Sequence, residues 1–207
     1  MSALDLHRYL PDTFVAKIDS PDIPTPINSN KIISSNTIAL KLASKIIFDV
    51  KGFYNDSLIK NTGPMPLQVG KETTFTLHWS LSSISNDIDN AKIISSIPSG
   101  VIWKGVMNPQ SEDIIFNERT NQIVWNIGKI PAGTGIINAP RAVAFQVAVI
   151  PQINQVGGVV SILNTPIFSG YDSFVFRDVN MQGSKKDSFL IEDPAVFSTE
   201  GKVQAAQ

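Results

Sequence analysis

From Thr73 to Leu81 the chain reads TTFTLHWSL, with Phe75, Leu77, Trp79 and Leu81 at every second position and Thr74, Thr76, His78 and Ser80 between them. A period of two is the period of a β-strand with one face buried, so the large apolar side chains point inward and the polar set points out. The segment just before it, GPMPLQVG, holds Pro64 and Pro66. Neither proline can donate to a strand ladder, so this stretch crosses a sheet edge or a gap between sheets, and Gly70 ends the crossing. The prolines therefore fix where the strand starts. A slip of one residue would turn every aromatic side chain to the wrong face.

The same grammar recurs along the chain. In TIALKLASKIIFDVKG, Ile38, Leu40, Leu42, Ile46, Phe48 and Val50 alternate with Ala39, Lys41, Lys45, Asp49 and Lys51. This predicts one long half-buried strand, or two collinear strands with a kink near Ser44. AKIISSIPSGVIWKGV predicts two short strands around PSG, with Trp103 as a core anchor. DIIFNERTNQIVWNIGKI predicts a hairpin turning over NERTN, with Ile123, Trp125 and Ile127 on one face. RAVAFQVAVIP predicts a strand with Val143, Phe145, Val147 and Val149 inward. Further strands are expected at 159–163, 167–168 and 173–179, and a weaker one at 188–191. Turn signals recur every ~8–12 residues and no amphipathic helix interrupts them, which predicts an all-β, immunoglobulin/fibronectin-like antiparallel β-sandwich.

Residues 1–36 differ from this pattern and are expected to form a leader. ALDLHRYL predicts two turns of helix ended by Pro11, and DSPDIPTPINSN, with three prolines, predicts an extended linker. TFVAKI between them is either part of a solvated leader or a strand that pairs with a sheet edge, in its own domain or a neighbour's. The sandwich is expected over residues 37–204, with 205–207 as a tail.

Composition removes several functions. Only 17% of residues are charged and the formal net charge is -1, which leaves no cationic field for nucleic acid. The chain has no cysteine, so thiol catalysis, disulfides and thiolate metal sites are out. The N-terminus has no secretory pattern and no stretch approaches the ~20 apolar residues that span a bilayer. The expectation is a piece of a larger exported protein whose signal and anchor lie elsewhere.

Six stretches in order carry a family likeness: NTGPMPLQVGKETTFTLHW, SNDIDNAKIISSIPSGVIWKG, FNERTNQIVWNIGKIPAGTG, PRAVAFQVAVIP, SGYDSF and DPAVFSTEGKVQ. Together they resemble the immunoglobulin-like conserved-repeat domain of large bacterial and archaeal cell-surface proteins, most of all the versions in small-genome candidate-phyla bacteria. The resemblance covers Ile38 to Gln204. It implies a spacer or adhesion module outside the cell, beside a membrane anchor or among tandem copies, and it brings no catalytic residues with it. A second copy of the TTFTLHW block is not found in this chain.

Candidate chemistry is sparse. His7 lies in the leader and His78 is expected on an outward strand face, so a nucleophile–base–acid arrangement is not predicted. Glu112 and Asp113 are adjacent on a strand and point to opposite faces, which prevents their acting as a carboxylate pair. GKIPAGTG lacks the ending of a phosphate loop. Lys41 and Lys45, weighed for a covalent lysine–asparagine crosslink, sit on the polar face. Trp79 and Trp125 are expected in the core, which removes them as sugar platforms. Calcium is the one cofactor with candidate ligands: SNDIDN supplies Asn86, Asp87, Asp89 and Asn90, YNDS adds Asn55 and Asp56, and GYDS adds Asp172. Asp87, Asp89 and Asp172 are the candidate metal residues, against the alternative that Asp and Asn serve the turns themselves.

The expected function is a non-catalytic extracellular structural or adhesion module. Its partners would be neighbouring domains of the same protein, a carbohydrate or protein on another surface, or further copies joined through the leader or edge strands. One alternative is a polymerising surface-layer or filament subunit that donates its leader as a strand; another is a calcium-dependent carbohydrate-binding module.

Overall fold

The structure is a computed structural model and describes residues 12–14, 38–197 and 199–206. The helix expected at ALDLHRYL, the linker DSPDIPTPINSN and His7 lie outside the described residues. The chain divides into two units, Met1–Ala43 and Ser44–Gln207. In the first, β1 (Asp12–Phe14) pairs antiparallel with β2 (Ile38–Leu40), Thr13 opposite Ala39. The opening residues of TFVAKI thus form a ladder within their own chain. Leu40 and Leu42 are exposed, contrary to the inward positions expected of them.

The second unit holds β3 (Ile46–Phe53), β4 (Thr73–Ser83), β5 (Ile88–Ser96), β6 (Val101–Asn108), β7 (Asp113–Asn117), β8 (Gln122–Ile130), β9 (Arg141–Val149), β10 (Ser161–Leu163), β11 (Ile167–Asp172), β12 (Arg177–Gln182) and β13 (Lys186–Asp187). Two antiparallel sheets form the body, ordered β3-β4-β9-β6 and β12-β11-β5-β8-β7, and β10 pairs with β13 beside them. If β7 and β8 are set aside, the remaining body strands in chain order make sheets 1-2-5-4 and 3-6-7, the constant-type immunoglobulin arrangement. The β7–β8 hairpin extends the second sheet beyond β5. The turn at Pro98–Gly100 accordingly joins strands of opposite sheets rather than a hairpin.

Aromatic contacts tie the layers together at three places: Phe48 on β3 with Phe168 on β11, Trp79 on β4 with Trp125 on β8, and Trp103 on β6 with Phe116 on β7. Phe75, Leu77, Trp79, Leu81, Ile123, Trp125, Phe145 and Val147 are all fully buried between the sheets, each side chain of this size contributing ~1.5–3 kcal/mol. The strand at 46–53 is separate from β2, the break falling at residues 41–45. Two expected strands moved. Residues 173–176 form the turn from β11 to β12, with Phe176 at a left-handed φ of 59°. Residues 188–191 are also turn rather than strand, and the short β13 lies just before them.

The largest correction concerns the outer face of β4 and β9. Thr74, Thr76 and Gln146 are buried, not solvated, because residues 54–62 lie across them as a strap. Thr62 donates its N–H to Thr74 Oγ1 at 2.7 Å, Asn61 Nδ2 donates to Thr76 Oγ1 at 2.9 Å, and Gln146 Nε2 donates to Asn61 Oδ1 at 2.9 Å. Polar side chains under a covering segment need such partners, since an unmet buried donor or acceptor costs ~1–3 kcal/mol.

Candidate functional site

Asp172 closes β11 at one end of the sandwich, and the loop that holds Asn86 and Asp87 opens β5 beside it. Two of the three candidate metal residues thus lie at one corner. Asp172 is fully buried. Its Oδ2 accepts the Ser44 N–H and the Asn86 Nδ2–H, each at 2.9 Å, and its Oδ1 accepts the Phe174 and Val175 N–H groups at 3.1 and 3.2 Å. Burial by itself would raise this carboxyl, but the four N–H donors, Ser44 foremost, outweigh it and hold the group below the ordinary aspartate value. One carboxylate therefore anchors the incoming chain at Ser44, the β4–β5 turn at Asn86 and the β11–β12 turn.

Asp87 is committed in the same way. Its Oδ1 accepts the Ala132 N–H at 2.7 Å, and its Oδ2 pairs with Lys129 Nζ at 2.8 Å. Asp89, on β5, is half-buried and lies opposite Tyr171 in the ladder. Among the described residues, no group of three or more His, Asp or Glu side chains is placed to hold a metal ion. Asn55 and Asp56 are not at this corner. They follow the far end of β3, where Asp193 Oδ2 accepts the Asn55 N–H.

Asp56 itself pins the strap. Its Oδ1 accepts the Leu58 and Ile59 N–H groups at 2.8 Å, and its Oδ2 meets His78 Nε2 at 2.5 Å. His78, expected to be solvated, is instead half-covered, in a T-shaped contact with the Phe53 ring. Glu112 is buried and accepts Trp125 Nε1–H at 2.9 Å and Arg141 Nη2–H at 3.0 Å, while Asp113 turns to Asn126. Asp56, Asp87, Glu112 and Asp172 are thus each engaged by donors of the chain itself. The strap and the Glu112–Trp125 bond escaped sequence reading; the only local signal was the Asx-turn spelling of YNDSLI.

Trp79 and Trp125 are inaccessible, and Trp103 is half-buried against Phe116. A groove of about 540 Å³ runs between the strap and β6, with aliphatic walls from Leu58, Ile59, Val106 and Met107 and Gln146 within it. It offers no aromatic platform of the kind that stacks on sugar rings. Among the described residues no helix is long and apolar enough to cross a membrane.

No protein-family model matches the chain, and no curated protein matches it. Among solved structures it is similar to BcpA, the major pilin subunit of Bacillus cereus, at 9% identity and a TM-score of 0.42 over 69% of this chain and 39% of that one. It is also similar to the full-length major pilin SpaD of Corynebacterium diphtheriae, at 8% identity and a TM-score of 0.40 over 69% of this chain and 35% of that one. A GH20 exo-β-N-acetylglucosaminidase from Vibrio harveyi overlays 80% of this chain with 19% of its own, at 8% identity and a TM-score of 0.30. The chain spans two fifths or less of each of these proteins. Likeness at this level concerns the sandwich alone.

Proposed function

We propose that this chain is a non-catalytic structural module of a larger cell-envelope protein, a unit strung in series that carries tension along its strands. The observation behind this reading is where the backbone joins the sandwich. Ser44 is fixed at the Asp172 corner, its hydroxyl 2.9 Å from that of Ser83 at the last residue of β4. Gln204 is fixed at the opposite end: it donates its N–H to the Leu67 carbonyl at 2.7 Å and accepts the Val69 N–H at 3.1 Å, just ahead of the first residue of β4. The 11 residues of β4 separate the two points by roughly 35 Å. A backbone held at both ends of β4 suits a module loaded along its strands.

The fate of the polar residues supports the same reading. The carboxylates of Asp172, Asp56 and Glu112 hold the attachment at Ser44, the strap and the Trp125 indole. The six-motif resemblance to envelope-protein repeats supports a place outside the cell; any adhesive role would fall to loops and edge strands. The polymerising alternative needs the leader for assembly, and deletion separates the two. Removing residues 1–36 is expected to leave the melting temperature and the association state of the sandwich unchanged, as read by circular dichroism and sedimentation. Loss of assembly on that deletion would make the leader a donated strand and the spacer reading wrong.

A further inference from the structure

The body sheets have four edge strands, and three of them are protected. β3 bears the exposed ion pair of Asp49 and Lys51 at 3.0 Å. β6 departs from its ladder between Trp103 and Met107, through Lys104 and Gly105, the latter at φ 70°. β12 opens on exposed Arg177 and Asp178. Charges and bulges of this sort keep an edge from accepting another strand. β7 has none of them in its middle: it reads Asp113-Ile114-Ile115-Phe116-Asn117, pairs only with β8 among the described residues, and leaves Ile115 53% exposed.

The outer face of this sheet leads to the same edge. Ile167 lies opposite Ile94, Ile94 opposite Val124, and Val124 opposite Ile115, so an apolar row crosses four strands at right angles to them. Polar rows flank it, with Asp113, Asn126, Lys92 and Ser169 on one side and Asn117, Gln122 and Ser96 on the other. The row ends in the open, at Ile115.

We propose that β7 pairs antiparallel with β7 of a second copy of this chain, about a two-fold axis at Ile115. The strand is self-complementary in that register. Ile115 meets Ile115 of the second copy, Asp113 faces Asn117, and Ile114 faces Phe116, so no like charges oppose one another. The two apolar rows join into one across a continuous sheet, and the contact is isologous and therefore closed.

Because the chain has no cysteine, single cysteines introduced into the full chain report the register. On the axis, Ile115→Cys places two Cα atoms at the ~4.5–5.5 Å of a directly opposed pair, within disulfide reach. Asp113→Cys places its two copies ~13 Å apart, beyond it. Mild oxidation is expected to convert Ile115→Cys to covalent dimer and leave Asp113→Cys monomeric. In sedimentation equilibrium the unmodified chain is expected to dimerise with rising concentration, and Ile115→Lys to lose the dimer while keeping its melting temperature. A chain that stays monomeric with no preferential crosslinking at position 115, or a dimer that Ile115→Lys leaves intact, overturns the proposal.

Discussion

Asp172→Ala is expected to lower the stability of the sandwich by about 3–5 kcal/mol, because it leaves buried N–H donors without an acceptor at ~1–3 kcal/mol each. In thermal unfolding that corresponds to a fall of roughly 10 °C or more for a domain of this size. Four N–H groups lose their acceptor at once: those of Ser44, Phe174 and Val175 and the Asn86 amide. Asp172→Asn keeps the shape but offers one oxygen where the carboxylate offers two, and should fall between the two proteins. The wild-type advantage over Asp172→Asn depends on pH with a definite sign. The folded state binds this proton less readily than the unfolded chain, so the contribution is complete above the ordinary aspartate pKa of about 3.9 and is lost as pH falls through the lower folded value. Millimolar calcium is expected to shift the melting temperature of none of the three, since ligand binding stabilises only where a site exists. A calcium-dependent rise in the wild type, absent from Asp172→Ala, would return Asp172 to the role of a metal ligand.

Trp125→Ala should cost a similar amount for a different reason. The indole is fully buried, stacks on Trp79 with ring centroids 6.5 Å apart, and donates to Glu112. Truncating it removes ~3–5 kcal/mol of packing by the large-to-small rule. It also strips a donor from the buried Glu112 carboxylate, which keeps Arg141. Trp125→Phe separates the two contributions, since it restores most of the volume and none of the hydrogen bond. Equilibrium denaturation by urea should therefore rank the proteins wild type, Trp125→Phe, Trp125→Ala. Equal stability of wild type and Trp125→Phe would mean that the Glu112 bond contributes nothing.

The layers of this fold were legible because alternation marks any strand with one dry face. Phe75 to Leu81, Ile123 to Ile127 and Val143 to Val149 are buried as their spacing predicts. The outward positions Thr74, Thr76 and Gln146 defeat the same rule. A polar residue at an outward position reads as solvated, and the strap that covers these three is brought there by folding: Gln146 is 85 residues from its partner Asn61. The turn at 173–176 spells like strand because Phe174 and Val175 are β-formers, while the residue that bends it, Asp172, acts through backbone N–H groups. At the candidate site, composition placed Asp87 and Asp172 in loops but did not tell ligand from fastener. Both uses favour Asp and Asn in turns. The distinction rests on Ser44, 128 positions away from Asp172.

On the proposed reading, force entering at Ser44 and leaving at Gln204 loads the strands in shear. β3 and β4 are paired over eight residues, Ile46 opposite Ser83 through Phe53 opposite Thr76, and tension between the two ends slides one along the other so that all the pairs resist together. Single-molecule pulling with handles on cysteines introduced at Lys45 and Gln204 tests this against handles at Lys45 and Ser85, which peel the same ladder from its end, one pair at a time. Forced unfolding reads the barrier along the chosen direction. A markedly higher unfolding force is expected for the Lys45–Gln204 geometry. Unfolding at the same low force in both directions would contradict it and leave the sandwich without a mechanical role.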